Sequence, residues 1–308
     1  MKTLFSFLLL LVGCHSSPEV LPNPSSAPPE PSVPSPEEPP NIEPFVEMGP
    51  PLPVERELTT FVTRFRTKMG DGRVTNIQLV TEKVADFILA PGEAFSFNEK
   101  VGPRTEARGF KMAPAIFDGE IIEGIGGGTC QVSSTLYAAA LHVGAVITDR
   151  RPHSRPSSYI DPGLDATVSF PAECNVKKPD ARICYDLKFK NPFTFDLHFK
   201  VEIGEEGPDD KRPLKVTILG NGEVPTVTSK WAASATPKFE RKIRQVPFWH
   251  NNAKRVKQAG HPGLEGARVV TLKYPDGHVD VRRVSSRYKP TPEIWEVGME
   301  WEEEEKTP

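Results

Sequence analysis

Apolar residues recur at helical spacing in two stretches of the chain. One predicted helix begins at Thr129, a good N-cap residue, and ends at Gly144, because glycine tolerates the left-handed backbone that closes a helix. The other begins at Thr75 and ends before Pro91. In the helix that begins at Thr75, the apolar face is formed by Ile77, Val80, Val84, Phe87 and Ile88. In the helix that begins at Thr129, which is the second along the chain, it is formed by Val132, Leu136, Ala139, Ala140 and Val143.

Alternating apolar and polar residues predict strands around the two helices. Asp118-Gly119 lies between two short apolar runs and is a strong hairpin signal. A further strand is expected over 166–170, opened by Asp165, and further hairpins are expected around residues 220–222 and 275–277. These elements predict an α+β fold in which a mixed domain over residues 54–205 precedes an elongated all-β module over residues 206–298.

The amino terminus has the pattern of a secretory signal. Met1-Lys2 precedes an apolar run that is too short to span a bilayer, and residues 1–13 are predicted to be a signal peptide. The run ends in Leu11-Val12-Gly13-Cys14, which resembles a bacterial lipobox and implies lipidation of the Cys14 thiol. An ordinary cleaved signal with a chance cysteine is the alternative. By resemblance to Gram-negative sorting signals, His15 implies the outer membrane, facing the periplasm or the cell surface.

Two polar segments flank the predicted domains. Residues 14–53 alternate proline with Ser and Glu, so they cannot bury enough apolar surface to fold and are expected to be a disordered spacer. Residues 299–308 form an acidic tail that is expected to be solvated. The formal net charge of −3 argues against nucleic acid as a partner.

Candidate chemistry centres on Cys130. Glycines over 124–128 allow the backbone to turn sharply just before it. Cys130 would then lie in the first turn of the second helix, where the helix dipole and free amides favour a thiolate. A thiol at this position is either a nucleophile or a small buried side chain. Both interpretations remain open from the sequence.

The segment from Pro91 to Lys190 resembles the VanW-like family, which is named for an accessory protein of vancomycin-resistance clusters. The matching segments are residues 91–98, 101–104, 124–137, 152–154 and 165–168. The resemblance implies a bacterial cell-envelope setting, with peptidoglycan or its precursors as partners and the membrane reached through a lipid anchor at Cys14.

The order of polar residues is similar to that of the transglutaminase-like thiol enzymes, as an analogy of layout. By this analogy Cys130 is the nucleophile, His153 is its base and Asp165 orients the imidazole. The structural alternatives are a packed thiol, a histidine that ties down a loop and an aspartate that caps a turn. The residues predicted to bind substrate around Cys130 are Arg73, Arg104, Gln131, Ser133 and Tyr137.

Cys174 and Cys184 lie in a segment that resembles an insertion relative to the family. In an oxidising compartment a disulfide that closes this short loop is the natural prediction. A metal site is not expected, because no further Cys or His lies at ligand spacing nearby. No cofactor is predicted.

The carboxyl-terminal module resembles a five-glycine surface module, a type suspected of binding amino-sugar polymers. Its alternation alone also fits any β-hairpin module. The glycines that carry the resemblance are Gly260, Gly263, Gly266, Gly277 and Gly298.

Two functions follow from these observations. The first is a lipid-anchored cell-envelope acyl-transferase or peptidase that uses Cys130 on peptidoglycan peptides. The second is a non-catalytic envelope protein that binds peptidoglycan or a partner, with Cys130 buried. The sequence leaves open whether the protein is an enzyme.

Overall fold

The computed structural model describes residues 54–68, 70–117, 120–171, 174, 183–250 and 253–299. The predicted signal peptide, the lipidation site at Cys14, the proline-rich spacer and most of the acidic tail lie outside these residues. Among the described residues, no helix is both long enough and apolar enough to cross a membrane.

β-structure predominates, with 45% strand and 15% helix. The all-β character predicted for residues 206–298 fits the structure. The α+β class is only loosely supported, because the longer helices are limited to α1 and α3. The elements, in chain order, are β1 Arg56–Arg66, α1 Asp71–Lys83, β2 Asp86–Leu89, β3 Ala94–Ser96, α2 Phe97–Val101, β4 Met112–Phe117, β5 Glu120–Ile125, α3 Thr129–Val143, β6 Val146–Asp149, β7 Lys188–Lys190, β8 Leu197–Ile203, β9 Lys211–Gly220, β10 Thr226–Ala235, β11 Arg241–Gln245, β12 Lys254–Gln258, β13 Leu264–Lys273, β14 Val279–Tyr288 and β15 Glu293–Val297.

Helix α3 is the centre of the hydrophobic core. It packs on an antiparallel sheet of order β1-β9-β8-β2 and also contacts α1. Nearly every α3 side chain is buried, which is the pattern of a core helix rather than a surface one. A hydrogen bond of 2.8 Å between the hydroxyls of Thr63 and Thr135 ties β1 to α3. This bond fixes α3 to the sheet five residues after Cys130.

The helix predicted from Thr75 to before Pro91 begins earlier and ends earlier in the structure. As α1 it begins at Asp71, after Gly70 with φ of 92°, and it ends at Lys83. Phe87 and Ile88 lie in β2, where Phe87 points into the core and Ile88 is 55% exposed. The adjacent apolar residues Phe87 and Ile88 are compatible with either a helix or a strand from sequence alone. They form a strand because β2 pairs with β8.

Two further predictions about strands were wrong. The turn at residues 220–222 does not join a hairpin, because β9 pairs with β1 and β8 whereas β10 pairs with β13. The strand expected after Asp165 is reduced to a single bridge between Ser169 and Tyr185. The predicted domain boundary at residue 205 falls between β8 and β9, so β9 extends the first sheet beyond it.

Other local predictions are confirmed. β4 pairs with β5 on either side of residues 118–119, which lie outside the described residues, and β13 pairs with β14 around the turn at 275–277. Helix α3 ends at Gly144, which has φ of 93°. The predicted disulfide between Cys174 and Cys184 is present.

Candidate active site at the start of helix α3

The glycine run shapes the entry to α3. A Cβ atom on Gly127 would lie 2.4 Å from the carbonyl oxygen of Ala113, so no larger residue fits. Gly128 is the N-cap residue with φ of 104°, one position before the predicted cap. The Thr129 hydroxyl donates to the Gly126 carbonyl at 2.7 Å and braces this turn. Cys130 consequently lies in the first turn of α3.

A large cleft opens beside this turn, with a cavity volume of ≈ 1430 Å³. Cys130 is a free, partly exposed cysteine that lines the cleft together with His153, Arg73 and Arg104. Its Sγ atom lies 3.5 Å from the carbonyl oxygen of Val168. The thiol is therefore neither sealed in the core nor on the open surface.

His153 joins Cys130 to Asp165. The Nδ1 atom and the backbone amide of His153 each lie 2.7 Å from Oδ2 of Asp165. Cys130 and His153 line the same cleft and interact electrostatically, so that each shifts the pKa of the other. Because Nδ1 faces Asp165, Nε2 is the ring nitrogen left for the sulfur. The structure thus brings the three predicted catalytic residues together in the order acid, imidazole, thiol.

The electrostatic environment favours charge separation between Cys130 and His153. Burial alone would raise the pKa of the thiol, but the hydrogen bond and charge of His153, with a contribution from Arg104, lower it below its ordinary value. Burial would likewise lower the pKa of His153, yet its interactions with Tyr159, Asp165 and Cys130 raise it well above its ordinary value. A thiolate beside an imidazolium is the form that this site stabilises.

Asp165 is fixed by groups from two parts of the chain, the loop that carries Arg150 and His153 and the end of β14 at Tyr288. Its Oδ1 atom forms a 2.7 Å ion pair with Arg150 and accepts a 2.5 Å hydrogen bond from the Tyr288 hydroxyl. Burial opposes ionisation of this carboxyl, but hydrogen bonding to His153 and the charges of His153 and Arg150 hold its pKa well below its ordinary value. The carboxylate therefore stays ionised although its side chain is only 2% exposed.

Sequence reasoning missed Arg150 and Tyr288 as members of this network. Arg150 lies three residues before His153, and its Nε atom also donates to the Asp165 carbonyl at 2.7 Å. Tyr288 lies 123 positions from Asp165, in a strand of the carboxyl-terminal module. Because Arg150 lies in the same loop as His153, its membership of the site could have been predicted from the sequence. Nothing in the sequence around Tyr288 connects that residue to the site.

The predicted substrate-binding residues fall into two groups. Arg73, Arg104 and Gln131 line the cleft. The Gln131 amide is already engaged, because its nitrogen donates to the Thr63 hydroxyl at 3.2 Å and its oxygen accepts from Arg73 at 2.9 Å. Gln131 therefore positions Arg73.

The structure does not place Ser133 and Tyr137 in the cleft. Both are fully buried on the core side of α3. The Ser133 hydroxyl donates to the Ala166 carbonyl at 2.7 Å, and the Tyr137 hydroxyl donates to the Gly163 carbonyl at 3.3 Å. They were grouped with Cys130 because they share its helix, but the segment that carries Asp165 covers them, and they anchor it.

Comparison with known proteins matches residues 72–208 to a family described as VanW like protein. The chain is 44% identical over 115 residues to the uncharacterized protein YoaR of Bacillus subtilis (strain 168), which covers 37% of this chain and 38% of YoaR. It is 25% identical over 189 residues to the vancomycin B-type resistance protein VanW of Enterococcus faecalis (strain ATCC 700802 / V583), which covers 58% of this chain and 64% of VanW. The matched part thus spans less than two thirds of either relative.

Among solved structures, the chain resembles an IgA1 protease G5 domain structure with 24% identity, over 25% of this chain and 94% of that one. The TM-score of 0.17 is too low to indicate a shared fold. Residues 72–208 are therefore VanW-like, and the chain is related to YoaR and VanW. All three predicted catalytic residues fall within the VanW-like region.

Proposed function

We propose that the protein is a cell-envelope thiol enzyme that transfers or hydrolyses an acyl group of peptidoglycan stem peptides through Cys130. The observation that carries the proposal is the 2.7 Å bond between His153 and Asp165 at the wall of a cleft that Cys130 also lines, together with the electrostatic interaction between His153 and the thiol. A packed structural cysteine has no need of a buried, ionised acid behind its histidine. The relationship to a vancomycin-resistance protein supports the cell-envelope setting.

In the proposed reaction, the Cys130 thiolate attacks the carbonyl carbon of a peptide bond and forms a C–S bond. The imidazolium of His153 gives its proton to the departing amine as the C–N bond breaks, which leaves a thioester on Cys130. Water or an acceptor amine then attacks the thioester while His153 takes up its proton, and the thiolate leaves. Asp165 keeps the imidazole oriented and stabilises its charged form in both halves of the reaction.

The oxyanion of the tetrahedral intermediates would be held by amides at the start of α3. The first amides of a helix point out from its positive end. Those of Thr129 and Gln131 already donate to the carbonyls of Gly126 and Gly128, so the proposed donor is the amide of Cys130. Cys130 lies in this first turn, so an oxygen bound there would be close to the attacked carbon.

Lipidation of Cys14, a position in the outer envelope and binding to peptidoglycan are parts of the same proposal. They rest on the sequence patterns of the amino terminus and on the VanW-like resemblance. A spacer of about 40 residues would let the enzyme reach a polymer away from its anchor.

The direct test incubates the full-length protein with purified muropeptides and follows their masses. With wild type, we expect the muropeptide masses to show either the addition of one water, from hydrolysis of a peptide bond, or the exchange of a terminal residue. Cys130→Ala should produce neither, while Asp196→Asn, a change at an exposed position outside the cleft, should match wild type. Unchanged masses together with equal sedimentation of wild type and Cys130→Ala with sacculi would instead establish a non-catalytic binding protein.

A further inference from the structure

Arg104 is a buried cation with an unused hydrogen-bond donor at the cleft. The residue is only 8% exposed, and its side chain lines the cleft beside Cys130. Its Nη1 atom donates to the Gly102 carbonyl at 2.8 Å, whereas Nη2 is buried without a partner in the part of the chain that the structure describes. Buried donors are almost always satisfied, so an unsatisfied one that lines a cleft indicates a missing ligand.

The surroundings of Arg104 do not neutralise its charge. Its guanidinium lies 5.3 Å from the ring centroid of Phe97 and 5.9 Å from that of Phe170. Within the described ranges, no carboxylate forms an ion pair with it. Burial lowers the pKa of Arg104 to about 10, and the charge on Cys130 opposes this effect. A cation held in apolar surroundings gains most from an anionic partner.

Arg73 brings a second cation to the same part of the cleft. Its Nη2 atom donates to Gln131, while its Nε atom is buried without a partner among the described residues. Electrostatic interaction with Cys130 raises its pKa, although burial outweighs this effect and lowers the value overall. The Gln131 side chain fixes the guanidinium, so Arg73 is positioned before any ligand arrives.

The glycine run accommodates these two arginines. A Cβ atom on Gly126 would lie 3.1 Å from Cβ and Cγ of Arg104, and one on Gly128 would lie 3.1 Å from Cγ of Arg73. The arginine side chains thus pack directly on the turn that leads into Cys130. Both arginines also interact electrostatically with the Cys130 thiol.

We propose that Arg104 and Arg73 form a carboxylate-binding subsite, so that the substrate carries a free carboxylate close to the bond that Cys130 attacks. This inference rests on the proposed function and specifies its substrate class: peptides that end near the scissile amide with an unmodified α-carboxylate. Two guanidinium donors match the two oxygens of a carboxylate, which gives both affinity and orientation. An amidated chain end, or an internal bond far from a carboxylate, would leave Arg104 Nη2 unsatisfied and would be a poor substrate.

The test compares two alkylating reagents that differ only in this group. Iodoacetate carries a carboxylate where iodoacetamide carries a neutral amide. With both reagents the Cys130 sulfur forms a bond to the CH₂ carbon as iodide leaves. The rate constant of each reagent at Cys130 is measured by peptide mass spectrometry at a pH where the thiolate is fully formed. The quantity compared between variants is the ratio of the iodoacetate rate constant to the iodoacetamide rate constant. Dividing the two rates cancels changes in thiolate content that a variant causes.

We expect the ratio in folded wild type to exceed that in the urea-unfolded chain, and Arg104→Met to lower it about tenfold, the factor that corresponds to roughly 1.4 kcal/mol. Arg104→Lys should retain most of the ratio, because it keeps the charge. Arg66→Met is the matched control: Arg66 is exposed and does not line the cleft, and its loss should leave the ratio unchanged. Arg73→Met should lower the ratio independently of Arg104.

An unchanged ratio in both Arg104→Met and Arg73→Met, with rapid iodoacetamide labelling retained, would overturn the subsite and leave the proposed thiol chemistry intact. An equal fall in Arg104→Met and Arg66→Met would also overturn it, because the effect would then be one of overall charge. If iodoacetamide labels folded wild type no faster than the unfolded chain, both the subsite and the proposed function fail.

Discussion

The Tyr288 hydroxyl donates a 2.5 Å hydrogen bond to Oδ1 of Asp165, a residue 123 positions earlier in the chain. The same hydroxyl accepts a 2.6 Å hydrogen bond from the backbone amide of Gly163. Tyr288 is the last residue of β14 and is 1% exposed. The carboxyl-terminal β module thus completes the environment of the acid in the candidate active site.

Replacement of Tyr288 by Phe should destabilise the protein and slow the reaction of Cys130. The change removes both hydrogen bonds and leaves the Gly163 amide and one Asp165 oxygen less well satisfied, which should cost about 1–3 kcal/mol. Urea unfolding and the alkylation rate of Cys130 measure the two effects. Tyr274→Phe is the control, since the described residues show no side-chain hydrogen bond for Tyr274. Equal stability of the two variants would contradict the structural role of Tyr288.

Protonation of Asp165 should contribute to acid unfolding. The folded-state pKa of this carboxyl is depressed, so its stabilising contribution is present above the unfolded value of about 3.9 and is lost as the pH falls through the folded value. The difference in unfolding free energy between wild type and Asp165→Asn should therefore be largest between about pH 5 and pH 6 and should shrink as the pH falls below about 5. It should also shrink as the pH rises above about 6.5, because Asp165 raises the pKa of His153 and that contribution is lost when His153 loses its proton.

The matched experiment for this pH dependence uses Asp196→Asn, which changes an exposed aspartate outside the network. Its difference from wild type should stay near zero across the same pH range. If the Asp165→Asn difference did not change between about pH 5 and pH 2, the carboxylate would not be held in its ionised form by its neighbours.

Loss of the Cys174–Cys184 disulfide should reduce stability. The two cysteines are separated by ten positions, and opening so short a loop should cost on the order of 2–3 kcal/mol through the greater freedom of the unfolded chain. A double replacement by serine should lower the urea midpoint by the corresponding amount. Reductant should reproduce this shift in wild type and should have no effect on the double variant. If reductant lowered the urea midpoint of wild type and of the double variant equally, the stability change would not come from this disulfide.

Two glycines that share a left-handed backbone allow crowding to be separated from backbone strain. Gly128 has φ of 104° and would place a Cβ atom 3.1 Å from Arg73, whereas Gly277 has φ of 86° and open space around it. Gly277→Ala should cost about 1–2 kcal/mol from backbone strain alone. Gly128→Ala should cost at least 1 kcal/mol more and should slow Cys130 alkylation. Equal costs would show that Arg73 does not need the space beside α3.

Features encoded locally were predictable from the sequence, and long-range pairings were not. The bounds of α3 follow from its own caps and periodicity, and the disulfide follows from two close cysteines in a short loop. The turn at 220–222 was recognised, but its flanking strands pair elsewhere because β9 completes the sheet of the first domain. Local sequence specifies a turn more strongly than it specifies the partner of each strand.

The candidate site shows the same division. Cys130, His153 and Asp165 were predicted from their order along the chain, and the structure bonds His153 to Asp165 and places Cys130 and His153 in the lining of one cleft. Ser133 and Tyr137 were assigned to the cleft through their nearness in sequence, yet residues three and seven positions after Cys130 face the core here. Tyr288 could not be predicted, because its partner depends on how the β module packs on the segment around Gly163.

The pH dependence of Cys130 alkylation by iodoacetamide tests the central claim most directly. We expect folded wild type to react with an apparent pKa below the ordinary thiol value, because His153 stabilises the thiolate. His153→Asn should raise this apparent pKa and slow the reaction near neutral pH, and Cys130→Ala should remove the labelled peptide. Resistance of Cys130 in the folded protein, or the same profile in wild type and His153→Asn, would contradict the account.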